Sequence, residues 1–428
     1  MSNNIEMKNK GIKHSSNAVV IIGNGFDLAH DMETSYKDFS KWFFKEKVFN
    51  RLLSGEIDVD IFNETFKNIY RQMEVSPRGR NNLRIEYELT RDVIRHRQGD
   101  QNVIIKTVYS AFINNGAYIK KLILNKFLGE LYTGKHNSWF DIEQAYFDEL
   151  VEVYESYKTK YTDRGNSVKR LKSLNEDFEN VKELLKEYLQ TIEIGNNDDV
   201  LKFFHTNFIG KRNVKIINFN YTKTISNYLD EILNSHGDQV GVSSEDVNYI
   251  HGELEGRIVF GYGDDGNEDY RAMKFTGINE FLENFKTFDY LHNSNYRAVI
   301  NDLSVLPNYE VYVLGHSLGV TDKTLLGEIM DSDKCLNIHL FKRPDLEESY
   351  KIFDLKKLHF NLSRILEHDR SSRNKIVPID ISSHFPYIEG LDDLLIHEKH
   401  NQIYGPDWVR TYDDDLDSYI YKTENEKF

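Results

Sequence analysis

Val19-Val20-Ile21-Ile22-Gly23-Asn24-Gly25-Phe26-Asp27-Leu28-Ala29-His30 is the stretch on which the fold turns. Four consecutive β-branched residues read as a strand buried on both faces, because a half-buried strand would alternate with polar residues. Gly23 and Gly25 then let the backbone turn sharply and leave room for something to lie against it. The first strand of a doubly wound sheet ends in this way, and a helix starting near Phe26 would aim its free N–H groups at an anion. Gly23-x-Gly25 lacks the third glycine of the dinucleotide fingerprint, and Asp27 adds a negative charge. The turn by itself therefore leaves nucleotide binding and a plain strand-turn-helix unit equally open.

Working outward, the segment after the glycines continues at helical spacing through Leu28, Met32, Tyr36, Phe39 and Phe44, with a polar break at Glu33-Thr34-Ser35. Tyr36 and Asp38 follow that break closely enough to return to the same pocket; a core tyrosine and a capping aspartate are the plainer reading. From 45 to 205 glycine is sparse, charge is dense and apolar residues recur at three and four. Ile142, Tyr146, Leu150, Val153 and Tyr157 mark one amphipathic helix, and Leu171, Leu174, Phe178, Val181, Leu184, Tyr188 and Ile192 mark another. Strand texture returns at Asn213–Thr222, then at Tyr249–Gly252 and Ile258–Gly263, which read as two short strands around a turn. Val311–Gly319 forms a third strand-to-turn unit before a helix at Thr321–Met330, and Leu336–Phe341 adds another strand. The remainder, 343–428, is charged and helical around Leu355–Leu366. The expected architecture is an α/β core with a mainly parallel sheet (18–44 and 206–342), interrupted by a large α-helical insertion (45–205). Its ligand would sit outside the carboxyl ends of the strands.

Composition narrows the function. A length of 428 residues with 39% hydrophobic and 29% charged residues is that of a globular chain. A net charge of −15 disfavours an extended nucleic-acid surface. The single cysteine, Cys335, excludes an intrachain disulfide framework and a cysteine zinc cluster, which fits a reducing cytoplasm. The polar first seventeen residues and the lack of a long apolar run predict neither export nor membrane insertion.

Three strand ends carry candidate chemistry. His251 follows a short apolar strand and precedes a glycine, a placement suited to acid or base work, with a satisfied structural histidine as the alternative. Asn220 offers an amide to a ribose hydroxyl or a water, and Asn218 points to the same side of the strand, so spacing does not choose between them. Gly315-His316-Ser317-Leu318-Gly319 matches the nucleophile elbow. A hydrolase would then need Asp333 and His339 as its acid and histidine; the other reading makes Ser317 a phosphate or ribose ligand. Elsewhere, Arg91-Asp92-Val93-Ile94-Arg95-His96 fits the short arginine–histidine pattern of helical HEPN ribonucleases. His397-Glu398-Lys399-His400 is one residue short of the spacing that seats two zinc ligands on one helical face, so no metal is expected.

Taken together, Gly23–His30 with Thr34-Ser35-Tyr36, Asn218–Thr222, His251-Gly252, Gly315–Leu318 and Trp139-Phe140-Asp141-Ile142-Glu143 resemble the AbiH family of phage abortive-infection proteins. That family is more remotely similar to the sirtuin-like fold, which implies a sirtuin-like Rossmann core with NAD as substrate. Carried over by position, the resemblance implies that Gly23 and Gly25 face the pyrophosphate, with Asn24, Phe26, Asp27 and Tyr36 around them. Asn220 would hold the nicotinamide-side ribose and the attacking water, His251 would be the base, and Gly315 and Ser317 would bind a phosphate or the adenosine ribose. Thr222 stands where the sirtuin-like pattern has an acid, and Asp27 where it has a small residue. The zinc cysteines of the deacylating sirtuins are absent, which leaves NAD hydrolysis to nicotinamide and ADP-ribose as the expected reaction. The same resemblance implies a phage-derived or protein trigger and a homo-oligomer. An RNA-cleaving toxin using Arg91 and His96, and a non-catalytic nucleotide sensor, are the alternatives.

Overall fold

The computed structural model describes residues 14–54, 123, 125–131, 138–159, 164–208, 210–229, 246–342, 348–367, 373–378, 382, 384–385, 408–413 and 418–423. Arg91, His96 and the 397–400 histidines lie outside the described residues.

Five strands, β1 (Asn17–Ile22), β2 (Asn213–Asn218), β3 (Val247–Tyr249), β4 (Tyr309–Leu314) and β5 (Cys335–Leu340), form one all-parallel sheet in the order β3-β2-β1-β4-β5. Every residue of β1 and β4 is buried; Val19–Ile22 is wholly apolar, and Glu310 within β4 is buried in a pair with Lys211. Alternation along β1 divides its side chains between two layers. Val19 and Ile21 join Ile217, Val311, Val313 and Leu325 on one face. Ala18, Val20 and Ile22 join Ile216, Phe204, Phe208 and Leu314 on the other. Strand order reverses across β1, which has β2 on one side and β4 on the other. In an open α/β sheet that reversal leaves a crevice outside the carboxyl ends of the two strands.

The helix expected from Phe26 to Phe44 is broken at its polar interruption. A short α1 (Asn24–Leu28) is followed by α2 (Tyr36–Phe43), whose cap is Ser35: its hydroxyl accepts from the Asp38 N–H at 3.2 Å. The helical segment contributes α3 (Trp139–Thr159) and α4 (Arg164–Leu189), close to the periods read from the sequence. These two helices pack through Tyr146 stacked on Phe178, with ring centroids 4.0 Å apart, and through Arg170 paired with Glu149 and Glu152. Helix α5 (Asp198–Phe208) leads into β2, α6 (Asn295–Val305) precedes β4, α7 (Lys323–Met330) connects β4 to β5, and α8 (Glu348–Ile365) follows β5. A two-stranded antiparallel ribbon, β6 (Trp408–Asp413) and β7 (Ser418–Thr423), lies near the end of the chain.

Residues 258–263, expected as a strand, form no strand. Gly252 adopts a φ of 81° and turns the chain back, so the Val259 N–H donates to the His251 carbonyl at 2.7 Å. Tyr262 then exchanges backbone bonds with Asn284 and Lys286. A short apolar run reads alike whether it joins a sheet or fills the space above one. Among the described residues no helix is long and apolar enough to cross a membrane.

The turn after β1 is fastened to the turn after β4. The Gly23 N–H donates to the Leu314 carbonyl at 3.0 Å and the Gly25 N–H to the Gly315 carbonyl at 2.8 Å. Gly315 has a φ of 72°, and a Cβ there would overlap the backbone of Gly25 and Phe26. Gly315→Ala should therefore lose at least about 2 kcal/mol of stability in denaturant unfolding. Gly165→Ala, with no neighbour in the way of its Cβ, should stay within about 1 kcal/mol of wild type.

Candidate functional site

Beyond the carboxyl ends of β2, β3 and β4 lies a buried network of charged and polar side chains. Lys286, almost wholly buried, is its centre: its Nζ lies 2.8 and 3.0 Å from the two carboxylate oxygens of Glu143 and 2.7 Å from Asp322 Oδ1. Asp322 belongs to the 3-10 turn Val320–Asp322 that precedes α7. Its Oδ1 also faces His251 Nε2 at 3.2 Å, and its Oδ2 faces His316 Nε2 at 3.6 Å. Glu143 comes from α3; it accepts from the Thr321 hydroxyl at 2.6 Å and from the Gly261 N–H at 3.2 Å.

Two carboxylates share one ammonium, and their surroundings drive them apart. Burial pushes Glu143 up to about 7 against the pull of Lys286, with Asp322 adding to the rise. Burial would raise Asp322 too, but Lys286 and then His251 hold it well below the ordinary aspartate range. Burial opposes charge on Lys286 as well, yet Asp322 and Glu143 outweigh it and keep the ammonium protonated.

The histidines are oriented by their second nitrogens. The Leu318 N–H donates to His316 Nδ1 at 3.0 Å, so the ring proton sits on Nε2, toward Asp322. His251 Nδ1 lies 3.1 Å from the Phe219 carbonyl, which requires a proton on Nδ1. Burial and then Lys286 lower the His251 pKa against the pull of Asp322, so its Nε2 is unprotonated near neutral pH. Burial keeps the Tyr290 hydroxyl protonated; it lies 3.4 Å from that nitrogen as a donor. When His251 takes up a proton, both of its N–H groups find acceptors in place, Phe219 O and Asp322 Oδ1. That is the arrangement of a general base whose protonated form is stabilised where it forms.

Asn218 and Asn220, equivalent by spacing, have different duties. Asn218 braces its own turn, accepting from the Asn220 N–H and donating to the Thr222 carbonyl. Asn220 reaches across to the glycine turn, its Nδ2 donating to the Gly23 carbonyl at 3.0 Å. Asp27 points inward: Oδ2 accepts from the Thr222 hydroxyl at 2.6 Å, while Oδ1 is buried with no hydrogen-bond partner. The acid on one turn and the threonine on the other are thus one pair.

The remaining expected ligands divide into two groups. The Phe26 ring is buried among Phe204, Tyr228 and Phe385, and Tyr36 packs edge-on against Trp139. Asn24 and Gly25 are half-buried at the rim of the turn, and Ser317 is exposed. The N–H groups of Gly23, Gly25 and Phe26 all donate to backbone carbonyls, so a pyrophosphate would meet this rim through Asn24 and Ser317. The alternative reading of Ser317 as a nucleophile finds no triad among the described residues. Asp333 precedes β5 at the far end of the sheet, and His339 sits beside Glu310 and stacks on Tyr312.

The helical segment closes over this crevice. Trp139 Nε1 donates to the Thr34 carbonyl at 2.9 Å, and the Phe140 ring occupies the space where a Cβ on Gly319 would lie. Glu143, Lys286, Thr321 and Asp322 were not read from the sequence as site residues by any spacing rule. The only signal was that Glu143 ends the Trp139–Glu143 motif. Among known families, the model described as bacteriophage abortive infection AbiH matches residues 19–342, a span that holds every residue of the network. Comparison with curated proteins gives no match.

Asp27 links this geometry to stability. Burial raises it from an ordinary value of 3.8 to about 6, against the hydrogen bond from Thr222. Between those values the folded chain binds more protons than the unfolded chain, so this group costs stability as pH rises through the window. Measured by denaturant unfolding, the stability of Asp27→Asn relative to wild type should improve from pH 4 to pH 6 by as much as about 3 kcal/mol. A difference that is flat with pH would remove Asp27 from the titrating groups.

Proposed function

Because the chain belongs to the bacteriophage abortive infection AbiH family, we propose that it is an abortive-infection effector that hydrolyses NAD to nicotinamide and ADP-ribose. The observation that carries this reading is His251. Held between the Phe219 carbonyl and Asp322, it stands at the carboxyl edge of a parallel sheet, where its Nε2 accepts a proton and its conjugate acid is stabilised. Asn220 joins that edge to the glycine turn at the strand-order reversal, where dinucleotides bind in sheets of this kind.

The chemistry asks little more of the protein. The bond between nicotinamide and the ribose C1′ breaks with its electron pair leaving on the nicotinamide nitrogen, and the sugar acquires oxocarbenium character. Water adds to C1′ and gives its proton to His251 Nε2, whose new N–H is received by Asp322 Oδ1. Asn220 holds the ribose and the water in line, and ordering those partners is where such a site gains most of its rate. Asn24 and Ser317 meet the phosphates at the rim. His251, Asn220 and Asp322 are all buried, so entry of a dinucleotide requires the Trp139 end of α3 to lift from the Thr34 and Gly319 turns. Product release and entry are then conformational steps.

Purified full-length protein is incubated with NAD, alone and with lysate of phage-infected cells, and nicotinamide is followed. Wild type should release it; His251→Asn should fall by about 10²–10⁴-fold while its thermal unfolding stays near that of wild type. Absence of release from wild type under both conditions would sink the reading. Saturable NAD binding without turnover would instead point to a nucleotide sensor.

A further inference from the structure

Resting on that NAD-cleaving reading, we infer that Glu143 is a positioning residue for His251, acting through Lys286 and Asp322, so that the helical segment completes the site as well as covering it. The geometry is a relay. Lys286 Nζ is shared between both oxygens of Glu143 and the same Asp322 oxygen that faces His251 Nε2. While Glu143 is in contact, the N–H donors of Lys286 are divided between Glu143 and Asp322, and Asp322 Oδ1, which accepts from Lys286 at 2.7 Å, keeps a second lone pair for a proton-bearing His251. Without that contact, the ammonium falls wholly on Asp322 and competes with the imidazolium for the same oxygen.

Glu143 can do this only from a docked helix. Its carboxylate is fixed on the core by the Thr321 hydroxyl and the Gly261 N–H. Its helix is fixed by the Trp139 bond to Thr34 and by Phe140 against Gly319. A movement of α3 that admits substrate, or one imposed by a partner, therefore also resets the base. The other groups facing His251 come from three elements: His316 from the turn after β4, Tyr290 beside Lys286, and Tyr221 from the turn after β2. Asp289, near these tyrosines, is paired with Arg257.

The test reads His251 directly. In the full chain with carbon-labelled histidine, the His251 resonance is assigned by its loss in His251→Gln and titrated without NAD. Glu143→Gln keeps the side-chain size but replaces one of the two oxygens facing Lys286 with an amide donor; Glu143→Asp keeps the carboxyl but draws it one methylene short of Lys286. Both should move the His251 titration to lower pH, and both should lower kcat for nicotinamide release with KM little changed. A titration unmoved in Glu143→Gln overturns the relay. So does a shift in Glu143→Gln with Glu143→Asp like wild type, because that pattern is a through-space charge effect with no contact required. Because the titration is read without NAD, failure of wild type to release nicotinamide sinks the catalytic reading separately, and the coupling of Glu143 to His251 is still judged by the NMR result.

Discussion

One ammonium group, that of Lys286, lies between two buried carboxylates, and the arrangement of the crevice depends on it. A charge removed from water is tolerable only when its partners are close and its remaining donors are satisfied. Lys286 meets Glu143 from the helical segment and Asp322 from the turn after β4. The segment expected as an insertion is thereby bound to the sheet by a buried ionic contact. Truncating either carboxylate would leave the ammonium with half its compensation, whereas truncating the lysine would leave two negative groups side by side in the interior. The network is therefore a constraint on the relative placement of α3, the 258–263 loop and the turn before α7.

The glycines serve this constraint differently from the way their spacing suggested. Gly23 looked like room for phosphate, yet in the fold its missing side chain is room for the neighbouring turn. A Cβ on Gly23 would lie 2.6 Å from the His316 Cα. The closeness sets His316 over the β1 turn, where Leu318 fixes its tautomer and the edge of Phe219 packs against it at 4.4 Å. Phe219 also meets His251, at 5.0 Å, so one aromatic ring separates and orients both histidines. Close packing of two backbone turns is thus what delivers two imidazoles to one aspartate.

How much of this was legible follows from the range of each interaction. Strands β1, β2, β4 and β5 were legible to within a few residues because each carries a short stretch rich in apolar residues, and such stretches are local. His251 and Asn220 were legible because each ends such a run. Glu143, Lys286 and Asp322 were not, because their relation exists only across α3, the short helix Lys286–Asp289 and the 320–322 turn, and no sequence interval encodes it. The loop at 258–263 was misread for the opposite reason. Its burial is real, with Val259, Phe260 and Tyr262 in the core, but burial without a neighbouring strand edge gives no ladder. The β6–β7 ribbon went unread because its charged and aromatic residues show no clean alternation, despite the aspartate-rich stretch between its strands.

Asp27 remains the residue that most sharply separates fold from function. The fold would be served as well by an uncharged group at that position, since Oδ2 needs only to accept from Thr222 and Oδ1 has no partner at all. A buried oxygen without a donor costs about 1–3 kcal/mol, and burial has raised this carboxyl to about 6. Asp322, in contrast, is held ionised by Lys286 and His251. These two buried carboxyls therefore have opposite tendencies, one kept charged and one brought close to neutral pH. Environments that drive two acids apart in this way are how a protein assigns acid and base roles to the same chemical group. Asp322 has Lys286 and two histidines around it; Asp27 has the Thr222 hydroxyl of the neighbouring turn.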